Sequence, residues 1–120
     1  MIGIDIVAIK RIENFIEKYG NKGLERFLLP SEISIAKKPQ TVAGFWAAKE
    51  AIAKALRCGI GSQLSFKDIE IYKELTGAPA FRLLHGKEEK FKIIDSSLSI
   101  SHDGGFAIAA AFILTASSKS

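Results

Sequence analysis

The fold is decided by the stretch VAGFWAAKEAIAKAL, residues Val42–Leu56, which predicts a long helix closed by the glycine-rich corner RCGIG at 57–61. At about 100° per residue, the apolar side chains of this helix fall on one stripe. Lys49 lies near the middle of that stripe, with Glu50 on its flank and Lys54 one turn further on. An unpaired ammonium is costly to remove from water, so a lysine on the apolar face indicates where a functional site is to be sought.

The segments on either side of this helix predict further helices and strands. Residues 2–7 alternate as a short strand, with isoleucines on one face and Gly3 and Asp5 on the other. Apolar residues at helical spacing follow from Ile9, and Gly20 is expected to stop that helix. The other predicted elements are helical pieces at 23–29 and 31–37, strands at 67–75 and 80–84, a helix within 85–94, and strands at 98–102 and 106–114.

A strand, then helices, then four strands in two antiparallel hairpins is an α+β order and not an alternating βαβ order. We therefore predict a single domain over residues 1–120, with an N-terminal strand and helices followed by antiparallel hairpins. The last strand, 106–114, is almost entirely apolar, which is typical of burial on both faces. One chain of this length offers little to cover both faces, so we expect a subunit interface there.

Composition places the chain among ordinary globular proteins. Hydrophobic residues make up 48% and charged residues 25% of the 120, which excludes a disordered chain. The single Cys58 excludes an internal disulfide framework and suits a reducing compartment. No apolar run approaches the roughly 20 residues that cross a bilayer, and the acidic start MIGIDIV lacks the basic region of a signal peptide. We expect a cytoplasmic protein with no membrane partner.

The net charge of +4 is concentrated in the first half of the chain. Residues 1–60 carry ten Lys and Arg against six Asp and Glu, whereas residues 61–120 carry seven of each. This asymmetry favours an anionic partner, which would be nucleic acid, a phosphate-bearing ligand or an acidic protein. An ordinary solubility charge explains it equally well.

Two carboxylates stand out as candidate metal ligands. Asp5 lies in an apolar strand, where aspartate is uncommon, and Gly3 on the same face would leave room for a ligand; an exposed edge strand is the alternative. Glu50 precedes Lys54 by four residues, the favourable spacing of an ordinary helix ion pair. Taken together, two carboxylates from different elements are the usual way to hold a Mg²⁺ ion that shares a substrate's phosphates.

Three further residues complete the candidate site. Lys49 is either a phosphate contact or a lysine that extends its ammonium past the apolar face to water. His102 precedes a Gly-Gly turn and is either a site residue or a strand-end histidine. Gly59 is mainly a helix C-cap signal, because phosphate loops usually open helices. The sequence has no nucleotide-binding loop, zinc cluster or nucleophile elbow, so these residues indicate magnesium-assisted chemistry on a phosphate.

A second surface is predicted on the first helix. Arg11 and Lys18 project on nearly the same line, with Phe15 beside them. Basic residues around an exposed aromatic ring suit an acidic amphipathic partner, although a solvated helix face has the same pattern.

Five blocks follow one another along almost the whole chain: GIDIVAIKRIE (3–13), WAAKEAIAKAL with GIG (46–61), QLSFKDIEI (63–71), TGAP (76–79) and SISHDGGFAIAA (99–110). Together they resemble holo-(acyl-carrier-protein) synthase, the small trimeric type of 4′-phosphopantetheinyl transferase. The resemblance implies Mg²⁺-dependent transfer of the 4′-phosphopantetheine arm of coenzyme A to a serine of acyl carrier protein. Adenosine 3′,5′-bisphosphate would be released, in support of fatty acid biosynthesis.

The resemblance also implies roles for the candidate residues. Asp5 and Glu50 would be the Mg²⁺ ligands, and Lys54 would assist them in catalysis. The serine proton would pass to Glu50 directly or through a metal-bound water. The expected coenzyme A contacts are Lys49, Lys54, Gly59 and His102, with the histidine near the pyrophosphate or the adenosine end.

An assembly and its partners follow from the same resemblance. Family trimers place the site between subunits, so Asp5 and His102 would come from one chain and the helix segment 49–54 from the next. The face of Arg11, Phe15 and Lys18 would receive the acyl carrier protein. Nucleic acid is not expected as a partner.

Two positions depart from the family pattern. Phe45 stands where the family often has an arginine, and Lys37 or Lys38 would then supply the missing phosphate contact. Asp103 stands where the family often has threonine or serine after the histidine. Its carboxylate would repel a pyrophosphate unless it faces away or meets the metal.

Two other classes of function are compatible with these residues. The basic half of the chain permits a small module that binds nucleic acid, although acids placed among the bases would repel a phosphate backbone. The same acids would also serve a Mg²⁺-dependent phosphohydrolase.

Overall fold

The computed structural model describes residues 1–116 and has the predicted α+β architecture. No helix in this range is both long enough and apolar enough to cross a membrane. In chain order the elements are β1 (Ile2–Ala8), α1 (Ile9–Leu24), α2 (Pro30–Ile35), α3 (Pro39–Ala55), a 3₁₀ turn (Phe66–Asp68), β2 (Ile69–Lys73), β3 (Pro79–Leu83), α4 (Lys87–Phe91), β4 (Ile93–Asp103) and β5 (Phe106–Thr115).

Both predicted hairpins form, and they belong to different sheets. β4 pairs antiparallel with β5, and β1 pairs with the other edge of β5, which gives a three-stranded sheet of order β1–β5–β4. β2 and β3 make a separate two-stranded sheet. In the larger sheet Asp5 and Ile100 stand opposite Ala109 from its two sides, so the three residues share one face.

α3 packs against that face through small residues. Every alanine of α3 is buried. A Cβ at Gly3 of β1 would lie 1.9 Å from the carbonyl oxygen of Ala51 and 2.6 Å from the amide nitrogen of Ala55. The space beside Asp5 that was expected to admit a ligand is therefore filled by helix backbone, and Gly3 is required for packing.

The opposite face of the sheet is apolar and uncovered in the single chain. Ile2, Ile4 and Ile6 of β1 are exposed by 73%, 57% and 58%, and Phe112 of β5 by 46%. β5 alternates between buried residues and exposed ones, so within one chain the predicted burial on both faces holds only for the face under α3. A continuous exposed apolar surface of this kind is typical of an interaction surface.

Local differences from the predicted elements lie in loops and at ends. Gly20 adopts φ 59° and ψ −149°, outside the helical region, so the regular helix from Ile9 is interrupted there as predicted, and a second segment beyond this kink completes α1 at Leu24. Residues 25–27 form turns, so the helical piece predicted at 23–29 is present only in its first two residues, at the end of α1, and the piece predicted at 31–37 corresponds to α2. β4 begins at Ile93 instead of Leu98, because its pairing with β5 extends that far.

Gly3→Ala should destabilise the protein by about 1–3 kcal/mol, because helix backbone cannot move aside as a flexible side chain would. Gly61→Ala is the matched control, since a Cβ there meets no described heavy atom within 4 Å. Urea unfolding followed by circular dichroism measures both variants. A Gly3→Ala midpoint equal to that of the wild type would contradict the close packing of β1 on α3.

Candidate functional site

The predicted catalytic residues Asp5, Glu50 and Lys54 come together between β1 and α3 of one chain. The Lys54 ammonium donates to Oδ1 of Asp5 at 2.8 Å and to the carbonyl oxygen of Ile4 at 3.3 Å. Lys54 therefore pairs with an acid on another element, in place of the helix partner Glu50 that the spacing predicts. We call Asp5, Glu50 and Lys54 the carboxylate cluster.

Charge interactions couple the members of the carboxylate cluster. Burial raises the pKa of Glu50, and the negative charge of Asp5 raises it further, while Lys54 and Arg11 act in the opposite direction. The hydrogen bond to Asp5 raises the pKa of Lys54, so this ammonium is charged at neutral pH. The cluster thus contains two acids whose negative charges repel each other, Asp5 and Glu50, and the Lys54 ammonium forms an ion pair with Asp5.

This donor set fits a divalent cation that also meets substrate oxygen atoms. A bound Mg²⁺ would relieve the repulsion between Asp5 and Glu50, and the Lys54 ammonium already stands in for positive charge on Asp5. Within residues 1–116, no third His, Cys, Asp or Glu joins the two acids to complete a ligand cage. Mg²⁺ is commonly bound by one or two carboxylates together with phosphates and waters, so the pair suits that ion.

Lys49 is not placed to contact a phosphate, which corrects its predicted role. Its side chain is fully buried and donates to Oε1 of Glu32 at 2.8 Å and to the carbonyl oxygens of Phe27 and Phe66 at 2.8 and 3.0 Å. All three N–H groups of the ammonium are thereby used. Burial lowers the pKa of Lys49, and the charge of Glu32 opposes that shift. Lys49 is a core residue with a satisfied charge.

The partner of Lys49 is equally well bonded. Glu32 is fully buried. Its Oε1 also accepts from the amide of Leu29, and its Oε2 accepts from the amide of Ile71, both at 2.7 Å. The ion pair therefore joins α2, α3 and β2 at one point in the core.

Gly59 also serves the fold. It adopts φ +64°, and its amide donates to the carbonyl oxygen of Ala53 at 3.2 Å, which closes the C-terminal end of α3. The C-cap interpretation is therefore confirmed by the geometry, and the predicted coenzyme A contact cannot use this amide.

His102 lies apart from the carboxylate cluster on the same side of the sheet. It lines a cavity of about 270 Å³ between α3, β4 and the β2–β3 hairpin. The described lining of this cavity, which we call the His102 cavity, does not include Asp5, Glu50 or Lys54. Asp5 lies on β1 and His102 on β4, the two outer strands of the three-stranded sheet, so the cluster and His102 are separate within one chain.

Lys73 supplies a positive charge to the His102 cavity, at the end of β2. Neither hydrophobic periodicity nor motif spacing predicts Lys73 as a site residue, although its position shortly before the TGAP turn could have indicated it.

Phe45, which stands in place of the family's arginine, is buried and lines the same cavity. Lys37 lines a different groove, beside α2, and Asp103 ends β4 as an exposed residue.

The prediction that Asp5 and the helix segment 49–54 come from different subunits is wrong. Asp5 and the helix segment 49–54 meet within one chain, whereas they were expected on different chains. His102, which was expected to accompany Asp5, is the residue that lies apart.

The predicted docking face forms a shallow groove on α1. Arg11, Phe15 and Lys18 line it together with Tyr19 and Trp46. Phe15 is half-buried, since its ring packs on Tyr19 at 5.1 Å between centroids, so the exposed aromatic of this face is Tyr19, at 39% exposure. The Arg11 guanidinium lies over the Trp46 ring at 5.6 Å.

Glu50→Gln should stabilise the metal-free protein at neutral pH. The pKa of Glu50 is raised in the folded state, so the wild type loses stability as pH rises from about 4.5 through the folded-state pKa. Glutamine does not ionise, so the variant should melt at a higher temperature at pH 7 in EDTA, and the difference should shrink as the pH is lowered to 4.5.

Calorimetry over this pH range measures the effect. Glu17→Gln, at an exposed position on α1, is the matched control and should leave the melting temperature near that of the wild type. A Glu50→Gln protein that melts below the wild type at pH 7 would contradict the electrostatic description of the cluster.

Comparison with known proteins identifies close relatives. The chain is 68% identical over 114 residues to the holo-(acyl-carrier-protein) synthase of a Nitratiruptor species, and the match covers 95% of this chain and 98% of that protein. The crystal structure of Helicobacter pylori holo-(acyl-carrier-protein) synthase in complex with coenzyme A matches with a TM-score of 0.92 and 51% identity, over 95% of this chain and 100% of that one. The synthase from Bacillus anthracis in complex with CoA (3′,5′-ADP) matches with a TM-score of 0.80 and 37% identity, over 96% of each chain.

A family model agrees with these individual matches. Residues 1–111 match the model of the 4′-phosphopantetheinyl transferase superfamily. The matched range contains the carboxylate cluster, the predicted docking face on α1 and His102. With near-complete coverage in both sequence and structure, the chain belongs to the 4′-phosphopantetheinyl transferase superfamily.

Proposed function

We propose that this protein is a holo-(acyl-carrier-protein) synthase. It would transfer the 4′-phosphopantetheine group of coenzyme A to a serine of apo-acyl carrier protein and release adenosine 3′,5′-bisphosphate. The observation that carries the proposal is the carboxylate cluster, which brings two acids and a lysine together in a chain of this superfamily. We place the reaction in fatty acid biosynthesis in the cytoplasm, on the same family resemblance.

Asp5 and Glu50 are the proposed holders of Mg²⁺. A Mg²⁺ ion held by these two residues would supply positive charge against the negative charge that develops on the phosphate oxygens during transfer. Glu50 is also the proposed acceptor of the proton of the attacking serine hydroxyl, either directly or through a metal-bound water.

Lys54 adds fixed positive charge for the phosphates of the donor. Its ammonium lies at the cluster, where it donates to Asp5 and Ile4, and an ammonium can donate equally to a phosphate oxygen. The side chain is 51% exposed, so a donor can reach it.

The His102 cavity is proposed to receive another part of the donor. An imidazole and the Lys73 ammonium at one cavity suit a phosphate-bearing adenosine. Since this cavity and the carboxylate cluster lie apart in one chain, one subunit's cluster would face another subunit's His102 cavity in a homotrimer. The exposed apolar face of β1 and β5 offers a surface for that assembly.

The groove on α1 is proposed to dock the acyl carrier protein. The cations of Lys18 and Arg26 lie 5.2 and 4.9 Å from the centroid of the Tyr19 ring. The exposed Tyr19 ring thus offers an apolar contact that is surrounded by positive charge. Such a surface complements an acidic amphipathic helix.

Incubation with coenzyme A, Mg²⁺ and apo-acyl carrier protein tests the activity by mass spectrometry. The carrier should gain the mass of one 4′-phosphopantetheinyl group, with adenosine 3′,5′-bisphosphate formed in equal amount. Glu50→Gln should abolish the transfer without changing the circular dichroism spectrum, while the Glu17→Gln control should retain it.

Other outcomes of this assay separate the rival functions. Hydrolysis of coenzyme A with an unmodified carrier would favour a phosphohydrolase. Binding of nucleic acid with neither product would favour a nucleic-acid module. Normal turnover by Glu50→Gln would overturn the assignment of the carboxylate cluster.

Lys18→Glu should raise the KM for the carrier protein about tenfold or more with little change in the KM for coenzyme A, because a rim charge acts mainly on encounter with a charged partner. Lys18 is a better choice than Arg11, whose charge also acts on Glu50. Lys10→Glu makes the same charge reversal on α1 at a residue outside the described lining of the groove. Equal effects of the two reversals would argue against this docking face.

A further inference from the structure

Lys54 occupies the same carboxylate that the proposed Mg²⁺ ion needs. Its ammonium lies 2.8 Å from Oδ1 of Asp5 and 3.3 Å from the carbonyl oxygen of Ile4, so it is held at two points on β1. The Asp5 side chain is only 17% exposed, so little water competes for it. Lys54 is therefore the counter-ion of Asp5 in this structure.

We propose that Lys54 is a displaceable counter-ion that leaves Asp5 for a donor phosphate when the metal binds, so that Mg²⁺ and coenzyme A each strengthen the binding of the other. The inference rests on the proposed function, because it takes Asp5 and Glu50 as the metal ligands. It goes beyond that function by assigning Lys54 a role in the metal-free protein and a direction of movement.

Charge makes the two cations competitors on Asp5. An ammonium in contact with a carboxylate repels a second cation placed on the same group, and the repulsion at a few ångströms is not fully screened by water. The metal therefore binds against Lys54 unless the lysine moves. A flexible four-carbon stem allows that movement, and the half-exposed side chain has room to make it.

A phosphate provides the alternative partner for the displaced ammonium. When a donor phosphate draws Lys54 away, Asp5 is released for the metal; when the metal takes Asp5, Lys54 is released for the phosphate. Thermodynamic linkage requires that the donor increase the affinity for the metal by the same factor as the metal increases the affinity for the donor. The lysine thus couples the two ligands in addition to any direct contact between the metal and the donor.

Arg11 is a second positive charge near the carboxylate cluster, and its removal can be compared with the removal of Lys54. Its charge acts on Glu50, but its guanidinium is seated over the Trp46 ring. Removing it weakens the local positive field without freeing Asp5. A purely electrostatic effect and a displacement effect can therefore be separated by comparing Arg11→Gln with Lys54→Gln.

Titration of the metal-free protein with Mn²⁺, followed by electron paramagnetic resonance, tests the proposal without any measurement of turnover. Lys54→Gln should tighten Mn²⁺ binding about two- to fivefold in the absence of coenzyme A, the range that corresponds to loss of a partly exposed ion pair. The factor by which coenzyme A strengthens Mn²⁺ binding should be smaller in Lys54→Gln than in the wild type. Arg11→Gln should keep that factor, and Lys54→Arg should keep the weak binding of the metal alone.

Two results would overturn the proposal. Mn²⁺ affinity of Lys54→Gln that is unchanged or weaker without coenzyme A would show that the lysine does not oppose the metal. An unchanged enhancement by coenzyme A in this variant would show that the lysine does not couple the ligands. Melting temperatures near that of the wild type show that each variant remains folded.

The same titration distinguishes this failure from failure of the proposed function. If Asp5→Asn and Glu50→Gln bind Mn²⁺ as tightly as the wild type, the metal site itself is misassigned. If those two variants lose the metal while Lys54→Gln behaves as the wild type, only the role of Lys54 is refuted.

Discussion

The close contact between β1 and α3 is the constraint on which the site depends. Gly3 has no Cβ, so the strand lies directly against the helix backbone at Ala51 and Ala55. Asp5 is two residues further along the same face, and the close approach brings its carboxylate within 2.8 Å of the Lys54 ammonium. A larger side chain at position 3 would separate the elements that carry the proposed metal ligands. The geometry of the carboxylate cluster is therefore a consequence of backbone packing.

The helix α3 contributes both to the core and to the candidate site, because successive residues project about 100° apart. Lys49 turns into the core and contacts Glu32, while its neighbour Glu50 is half-buried beside Asp5. The buried pair joins α3 to α2 and β2, and this fixes the rotation of the helix about its axis. Glu50 and Lys54 are thus positioned by a charge that lies in the core, away from the site.

Local patterns in the sequence were sufficient for the element order, for the two hairpins and for Asp5 and Glu50 as a candidate pair of acids, whereas the catalytic role of Lys54 was implied only by the family resemblance. They were insufficient for the partners of the two lysines. Spacing within a helix pairs Lys54 with Glu50, but the actual partner, Asp5, lies on the N-terminal strand. Lys49 was interpreted as a ligand because an unpaired lysine on an apolar stripe is unfavourable; Glu32, on a short separate helix, removes that objection. Contacts of this kind depend on tertiary packing, which periodicity does not contain.

The full use of the Lys49 ammonium has an evolutionary consequence. Each of its three protons has an acceptor in the core, and Glu32 in turn accepts from two backbone amides. Loss of either charge leaves the other buried and uncompensated, which typically costs about 3–5 kcal/mol. A single substitution that removes the charge of Glu32 or of Lys49 is therefore expected to give a poorly folded protein, and a neutral pair at these positions requires both changes. This constraint comes from folding, and it acts independently of any selection on catalysis.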